Sequence, residues 1–335
     1  MKINCHCHIF SLDCVPREFR QRFLIDADQP VHSAARRMLL RVLPESSRFQ
    51  DWLEFVDLSI DEIASRLLAE MDEAGTDLAT PLMMDMAYCP HFGGGTKSFD
   101  DQLAETAAAV QTINAQAGRT RLLPFIAADP NRPDVVRLVA DAIDGGTFGG
   151  VKIYPVMGFT PDDRRLFPLY EHCTPRRIPI TAHCEEGGIP GLTHYYGFAH
   201  PVYWGRVLEH FPDLTLNLAH NDRTGTPWQR RIAQLIQTHP NVYTDVSFAT
   251  EMWYRPRRFF THLKTMLATP ILQDRVLYGT DWYMGRFLWT ESSYEAWFRD
   301  YAARIPWCRV RFTDAEMTRI METNPARFLN HPAPT

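Results

Sequence analysis

Short apolar runs alternate along the chain with stretches of helical periodicity, which is the pattern of repeated βα units around a parallel sheet. Each run is short and rich in aliphatic residues, as expected for buried strands. The predicted strands are 2–9, 78–84, 122–127, 150–154, 179–183, 214–220, 242–246 and 276–280. Eight strands with intervening helices favour an α/β fold of the (β/α)8 TIM barrel type, with an open doubly wound sheet as the alternative.

Several intervals between these strands have apolar residues at helical spacing. The predicted helices are 61–74, 133–144, 201–211 and 228–238. In the first of them, Ile63, Leu67 and Met71 share one face, and Gly75 is placed to end the helix. Pro133 is expected in the first turn of the second helix.

Two segments interrupt the alternation. Residues 11–59 are too long for an ordinary βα loop, and they are interpreted as a partly helical cap or insertion over the barrel mouth. Residues 88–96 contain three consecutive glycines and are predicted to form a loop. No repeat or linker divides the chain, so residues 1–335 are interpreted as one domain.

Composition and charge narrow the class of protein. Apolar residues make up 45% of the 335-residue chain, which is enough for a large core. The net charge of −5 comes without a basic block, which argues against a nucleic-acid partner. Seven cysteines without a CxxC pair favour reduced thiols and a cytoplasmic location. No signal peptide or membrane-spanning run is predicted.

The first chemical signal is the pair His6 and His8 at the end of the first predicted strand. Alternate side chains of a strand face the same side, so the two imidazoles point together, and Cys5 and Cys7 point the other way. Two imidazoles side by side form a metal chelate. A structural zinc site built from this string is disfavoured, because no second close ligand pair follows.

Four further residues fall at or near the ends of other predicted strands. His183, His220 and Asp281 follow apolar runs, and Lys152 lies within a fourth run. Barrel enzymes carry their chemistry at the carboxyl ends of the strands. We therefore expect these side chains to meet His6 and His8 at one face of the barrel.

This arrangement resembles that of the amidohydrolase superfamily. The segments 150–155, 181–185 and 279–282 match its motifs in order and spacing, and the ending 324–329 is similar to its terminal helix. The branch that looks closest holds lactone hydrolases and aminocarboxymuconate semialdehyde decarboxylase. Asn4 departs from the acidic or other polar residue that many members carry before the HxH motif.

The resemblance implies a metal site. Its core ligands would be His6, His8, His183 and Asp281, which suit one or two Zn²⁺ ions, with Mn²⁺ or Fe²⁺ as alternatives. In the family, the aspartate accepts the proton of the attacking water and delivers it to the leaving group. His220 would either bind a second metal or polarise the substrate carbonyl.

Lys152 determines the expected number of metal ions. If CO₂ carboxylates this lysine, the anionic side chain bridges two metals, as in the phosphotriesterase-like relatives. If the lysine stays an amine, it would bind an anionic substrate at a mononuclear site. Both interpretations stay open at the level of sequence.

Loops after the strands offer candidate substrate contacts. Arginines bind carboxylates, and aromatic rings flank planar groups, which favours a small anionic substrate. The predicted substrate-binding residues are Glu185, Tyr195, Arg223, Trp253, Trp282 and Arg286.

Three functions follow from these residues. The first is hydrolysis of an ester, lactone or amide in a small carboxylated substrate by metal-activated water. The second is non-hydrolytic decarboxylation of an aromatic or muconate-like acid at a metal. The third is a metal-stabilised binding protein without catalysis, which the presence of Asp281 and His220 disfavours. The family resemblance also implies a homodimer.

Overall fold

The computed structural model describes residues 1–22, 54–55, 58–188, 192–221, 223–286 and 288–331. Eight parallel strands alternate with helices along this part of the chain. The strands are β1 (Ile3–Cys7), β2 (Leu78–Pro81), β3 (Phe125–Ala127), β4 (Gly150–Ile153), β5 (Ile180–His183), β6 (Leu216–Ala219), β7 (Val242–Asp245) and β8 (Val276–Leu277). All eight predicted strands are confirmed, each within the predicted bounds.

Strands that follow one another in sequence are neighbours in space. One ladder joins β1 to β2, and a six-stranded sheet runs from β3 to β8 in order. Isolated bridges pair Ala79 with Leu122 and Cys7 with Trp282, linking β2 to the approach of β3 and β1 to the segment after β8. This parallel, sequential order is that of a (β/α)8 barrel, with isolated bridges instead of ladders at these two seams.

Helices cover the outside of the strands. Those between β1 and β8 are α1 (Arg17–Arg22), α2 (Ile60–Ala74), α3 (Phe99–Ala117), α4 (Val135–Asp144), α5 (Phe167–Arg176), α6 (Pro201–His210), α7 (Pro227–Thr238), α8 (Glu251–Tyr254) and α9 (Pro256–Ala268). Those after β8 are α10 (Glu291–Ala296), α11 (Ala302–Arg304), α12 (Asp314–Thr318) and α13 (Asn324–Phe328), with π-helical turns at Trp297–Tyr301 and Arg319–Thr323.

The local sequence explains how α2 begins and ends. Ser59 accepts a hydrogen bond from the backbone of Glu62, and the Glu62 side chain accepts one from the backbone of Ser59, so the first turn is capped. Gly75 ends the helix in a left-handed conformation with φ of 67°. The buried face includes Ile63, Leu67 and Met71, which confirms the predicted helix and its terminal glycine.

One predicted helix start is wrong. Residues 133–144 were expected to begin at Pro133, but α4 begins at Val135. Asp134 has a left-handed backbone with φ of 56°, which breaks the helical path between Pro133 and the helix. The predicted loop at 88–96 is confirmed, since it contains turns and bends only.

The cap predicted at residues 11–59 lies mostly outside the described residues, which include only 11–22, 54–55 and 58–59 of it. The described part holds a short 3-10 turn at Leu12–Cys14 and α1. Within the described part of the chain, no helix has both the length and the apolar character required to cross a bilayer.

Candidate metal centre

His6 and His8 lie side by side at the carboxyl end of β1. Both are buried, and their ring centroids are 5.4 Å apart, which confirms that the two side chains share one face. Asp281 approaches from the segment after β8, where its backbone N–H donates to the carbonyl oxygen of His6 at 2.8 Å. The β1 and β8 ends therefore bring these three residues together.

One oxygen of Asp281 faces both imidazoles. Its Oδ1 lies 3.0 Å from Nε2 of His8 and 3.4 Å from Nε2 of His6. Ligand atoms around a tetrahedral zinc with bonds of about 2.0–2.1 Å lie about 3.3 Å apart. Both distances from Asp281 are thus close to those expected around a shared cation, and all three ligand atoms lie within 4.8 Å of one another.

The hydrogen-bond partners of the Nδ1 atoms orient the rings of His6 and His8. Nδ1 of His8 lies 2.7 Å from the carbonyl oxygen of Leu82, and Nδ1 of His6 lies 3.0 Å from Oδ2 of Asp245. Both partners only accept hydrogen bonds, so both Nδ1 atoms donate. The Nε2 atoms then face Asp281, as required of imidazole ligands to a metal.

The Nε2 atom of His6 is buried and has no hydrogen-bond partner in the part of the chain that the structure describes. Burial, and next the charge of Lys152, lower the pKa of His6 to about 3, so the ring is neutral at pH 7. A buried neutral nitrogen beside a carboxylate is a fitting donor for a divalent cation. His6, His8 and Asp281 therefore fit the metal that the sequence predicts.

Asp281 is anionic in this setting. Burial raises its pKa, but the close contact with His8 and the electrostatic effects of the neighbouring histidines outweigh burial and hold the pKa well below its usual range. Its backbone is left-handed, with φ of 55°, which aims the side chain back toward β1.

Asp245, the last residue of β7, was missed at the level of sequence. Its Oδ2 accepts from His6 and, at 2.7 Å, from the side-chain amide of Asn217. Its Oδ1 accepts from the backbone of His220 and from the backbone and hydroxyl of Ser247, at 2.5–3.0 Å. Both oxygens are saturated, so Asp245 orients His6 and His220 and leaves metal binding to others.

His220 follows β6 and stands next to His6, with ring centroids 4.7 Å apart. Its Nδ1 lies 3.2 Å from the carbonyl oxygen of Ser247 and 3.0 Å from the hydroxyl of the same residue. His6, His220 and Asp245 form a second group of possible metal ligands. Because Asp245 has no acceptor position left, this group is the weaker of the two.

His183 lies at the end of β5, 4.8 Å from the ring of His220. Its Nε2 donates to the carbonyl oxygen of Gly187 at 3.1 Å. Neither of the two ligand groups among the described residues includes it. Burial, and next the charge of His220, lower the pKa of His183 well below its usual value. Its assignment as a metal ligand stays a prediction.

Lys152 lies on β4 and is 2% exposed. Burial lowers its pKa to about 8, although Asp281 and Asp245 act in the opposite direction. The amine lies 5.8 Å from the ring centroid of Tyr154, which itself packs 4.8 Å from the ring of His183. A cationic amine therefore borders the candidate metal centre.

Three of the predicted substrate contacts, Glu185, Tyr195 and Arg223, lie in the segments after β5 and β6. Arg223 lies 3.8 Å from Glu185 and 3.2 Å from Glu186. The hydroxyl of Tyr195 lies 3.2 Å from a ring nitrogen of His91. Their contact with a substrate stays a prediction.

The other three predicted contacts are engaged by protein neighbours. The indole of Trp282 is fully buried and donates to Glu70 at 3.0 Å, and Arg286 forms an ion pair with the same carboxylate at 2.6 Å. Trp253 packs against the ring of Trp289 at 5.3 Å and is 37% exposed. Trp282 and Arg286 thus have a structural role, and their predicted contact with a substrate stays untested.

A family model for amidohydrolases matches residues 3–330. This match spans nearly the whole chain, and the chain therefore belongs to the amidohydrolase family. The resemblance found in the strand-end residues is confirmed. A comparison with curated proteins found no significant match.

Solved structures support the fold. An uncharacterised TIM-barrel protein from Bordetella bronchiseptica is similar over 98% of both chains, with a TM-score of 0.62 and 21% identity. 4-Oxalomesaconate hydratase from Rhodopseudomonas palustris is similar over 98% of this chain and 96% of its own, with a TM-score of 0.55 and 15% identity. A triazine hydrolase variant is similar over 99% of this chain and 70% of its own, with a TM-score of 0.58 and 15% identity. These identities establish the fold and leave the reaction open.

Proposed function

We propose that this chain is a metal-dependent hydrolase that uses water to cleave an ester, lactone or amide bond in a small carboxylated substrate. One observation carries the proposal: a single oxygen of Asp281 faces Nε2 of both His6 and His8, at 3.4 and 3.0 Å. Two imidazoles and a carboxylate form an incomplete ligand set, which is typical of catalytic sites that keep a position for water.

His6, His8 and Asp281 would hold one divalent cation, with Zn²⁺ favoured by the nitrogen donors and Mn²⁺ or Fe²⁺ as alternatives. When bound, the metal supplies Lewis acidity and lowers the pKa of a coordinated water to about 7. The protein residues supply the proton transfers.

Asp281 is the proposed proton carrier. Its pKa is held below the usual range, so the carboxylate can accept the proton of the attacking water. The same group then delivers that proton to the leaving oxygen or nitrogen. This double role requires a carboxylate at the reacting centre, which the contacts of Asp281 with both imidazoles provide.

His220 has a supporting role in the proposal. Its Nδ1 faces the carbonyl oxygen and the hydroxyl of Ser247, so a neutral ring carries its proton there and presents a lone pair at Nε2. These two contacts orient the ring so that Nε2 can accept a hydrogen bond from a substrate. A neutral His220 in this orientation has no proton at Nε2 to donate to a developing oxyanion.

Asp281→Asn tests the proposal. Zn²⁺-loaded wild-type protein is assayed on a panel of lactones, esters and amides that carry a carboxylate, with metal content measured on the same samples. We expect kcat to fall by about 10²–10⁴ in the variant, because the amide cannot accept the proton. Asp129→Asn is the matched control, since Asp129 is a buried carboxylate at the end of β3 outside the described ligand groups.

Two results would contradict the proposal. Turnover by Asp281→Asn at the wild-type rate would remove Asp281 from the chemistry. Release of CO₂ from a carboxylic acid, with no hydrolysis anywhere in the panel, would instead favour the decarboxylase interpretation of the same ligands.

A further inference from the structure

Among the described residues, a buried amine beside the candidate metal centre has no anionic partner within ion-pair distance. Lys152 is 2% exposed, and the described residues place no carboxylate within 4.0 Å and no hydrogen-bond acceptor within 3.5 Å of its Nζ. The amine lies over the ring of Tyr154, 5.8 Å from the ring centroid. A buried ammonium is costly unless it is paired.

The carboxylates nearest to this amine are already committed. Asp281 and Asp245 act on Lys152 electrostatically, but Asp281 faces the two imidazoles and Asp245 accepts five hydrogen bonds in all. A divalent cation at His6 and His8 would add positive charge close to Lys152, which already acts on His6 electrostatically. The site therefore lacks one anion, which must come from outside the described side chains.

Two anions could meet this need: a carboxylated Lys152 side chain, or the carboxylate of a substrate. Carboxylation of Lys152 would create a bridge between two metal ions, but such a bridge requires a second metal with ligands of its own. His183 donates its Nε2–H to Gly187 and keeps a lone pair only at Nδ1, and Asp245 has no acceptor position left. Among the described residues, neither group of possible ligands includes His183. The described geometry therefore favours a single cation at His6, His8 and Asp281.

We propose that Lys152 remains an amine and binds the carboxylate of the substrate through a charge-assisted hydrogen bond. The inference rests on the proposed function, because it assigns the substrate class of the same site. A row of ring contacts through Tyr154, His183 and His220 leads from Lys152 to the metal ligand His6. The substrate is therefore a small organic acid whose carboxylate lies only a few atoms from the bond that is cleaved.

The test uses Lys152→Met in the metal-loaded protein, with benzoate as the anionic probe and benzamide as its neutral counterpart, titrated by calorimetry. Methionine keeps the length and apolar stem of lysine and removes a buried charge, so folding should be retained. We expect the Kd for benzoate to rise about tenfold or more. The affinity for benzamide and a content of one metal per chain should stay unchanged.

Lys264→Met is the matched control. Lys264 pairs with Glu316 on the outside of the barrel, so its removal changes the net charge equally and should leave benzoate binding unchanged. In a cavity-enlarged Lys152→Ala variant, ethylammonium should restore benzoate binding and acetate should not.

Three results would overturn the inference. The first is that wild-type protein fails to bind benzoate at millimolar concentration. The second is that the Kd for benzoate is equal in wild type and Lys152→Met. The third is that wild-type protein holds two metal ions, that Lys152→Met loses one of them, and that acetate restores the lost metal in Lys152→Ala. A Lys152-dependent Kd for benzoate without hydrolysis of any panel substrate would support the inference and refute the proposed function.

Discussion

At the residue scale, Asp245 positions residues of the candidate metal centre without being one of the proposed metal ligands. It accepts from Nδ1 of His6 and from the backbone of His220, and through these contacts it fixes which nitrogen of His6 faces the metal. The carboxylate also favours the His6 tautomer with its lone pair at Nε2. Asp245 is thus a positioning residue.

We predict that Asp245→Asn weakens Zn²⁺ binding about 10–100-fold, the usual cost of losing such a partner. The asparagine amide would present a donor to Nδ1 of His6 in place of an acceptor, and His6 would then be held in the wrong tautomer. Competition with a chromophoric chelator measures the affinity directly.

Asp129→Asn serves as the comparison for Asp245→Asn, because among the described residues its Oδ2 is buried without a hydrogen-bond partner and it contacts none of the proposed ligands. Its Zn²⁺ affinity should equal that of wild type. Equal affinities for Asp245→Asn and wild type would show that His6 binds metal without help from β7.

The residues of the site differ in how well the sequence predicts them. His6, His8 and Asp281 stand out because each follows an apolar run and belongs to a motif with fixed spacing. Asp245 lies in Val-Tyr-Thr-Asp-Val with no motif around it, and its only signal is an acidic residue at the end of a buried strand. The contact of His183 with Gly187 depends on how the β5 loop folds back, which strand periodicity does not specify.

At the element scale, the seam between β1 and β8 positions the ligands. Asn4, the departure from the family pattern, accepts from the backbone of His6 at 3.0 Å and of Thr280 at 3.3 Å. Its amide donates to Thr280 and Glu291. One side chain therefore ties together the two segments that carry His6 and Asp281.

Gly279 allows these two segments to approach closely. A Cβ atom at this position would lie 2.6 Å from Cβ of His6 and 3.3 Å from its backbone nitrogen, which is too close for the packed interior to absorb. We predict that Gly279→Ala destabilises the fold by about 1–3 kcal/mol and displaces His6, so that Zn²⁺ affinity falls as well. Denaturant unfolding and chelator competition measure the two effects.

Gly197→Ala is the control for Gly279→Ala, because a Cβ atom there would meet no atom of the described residues within 4 Å. It should change neither unfolding nor Zn²⁺ affinity. A Gly279→Ala protein with wild-type stability would show that the seam can widen without cost.

The strands were predictable because parallel strands that are buried on both faces have continuous apolar sequences. The ends of the strands were harder to predict, since ladder pairing stops where the chain turns toward the site, as at Leu277 in β8. The start of α4 was misplaced because the left-handed conformation of Asp134 depends on its surroundings. The π-helical turns after β8 carry no periodicity signal that would separate them from α-helix.

At the scale of the whole molecule, the barrel buries an acidic group, Glu291, next to the segments that carry His6 and Asp281. Glu291, at the start of α10, is fully buried and contacts Asn4, Thr76 and Thr280 through its side chain. Burial raises its pKa to about 7, assisted by Glu70 and opposed by the hydrogen bond from Thr280. In the unfolded chain the same carboxyl group has the ordinary glutamate pKa of about 4.5.

This difference couples the stability of the barrel to pH. Between about pH 4.5 and pH 7 the folded protein binds more protons at Glu291 than the unfolded chain does, so the free energy of unfolding falls as the pH rises through that interval. The full contribution, about 3 kcal/mol for a shift of this size, is present below pH 4.5 and lost above pH 7.

Glu291→Gln keeps the shape of the side chain and removes its titration. Urea unfolding of the metal-free protein at pH 5 and pH 7.5 should therefore show a smaller drop in stability for Glu291→Gln than for wild type. Glu171→Gln, an exposed glutamate on α5, should keep the wild-type drop, and an undiminished drop in Glu291→Gln would place the coupling at another group.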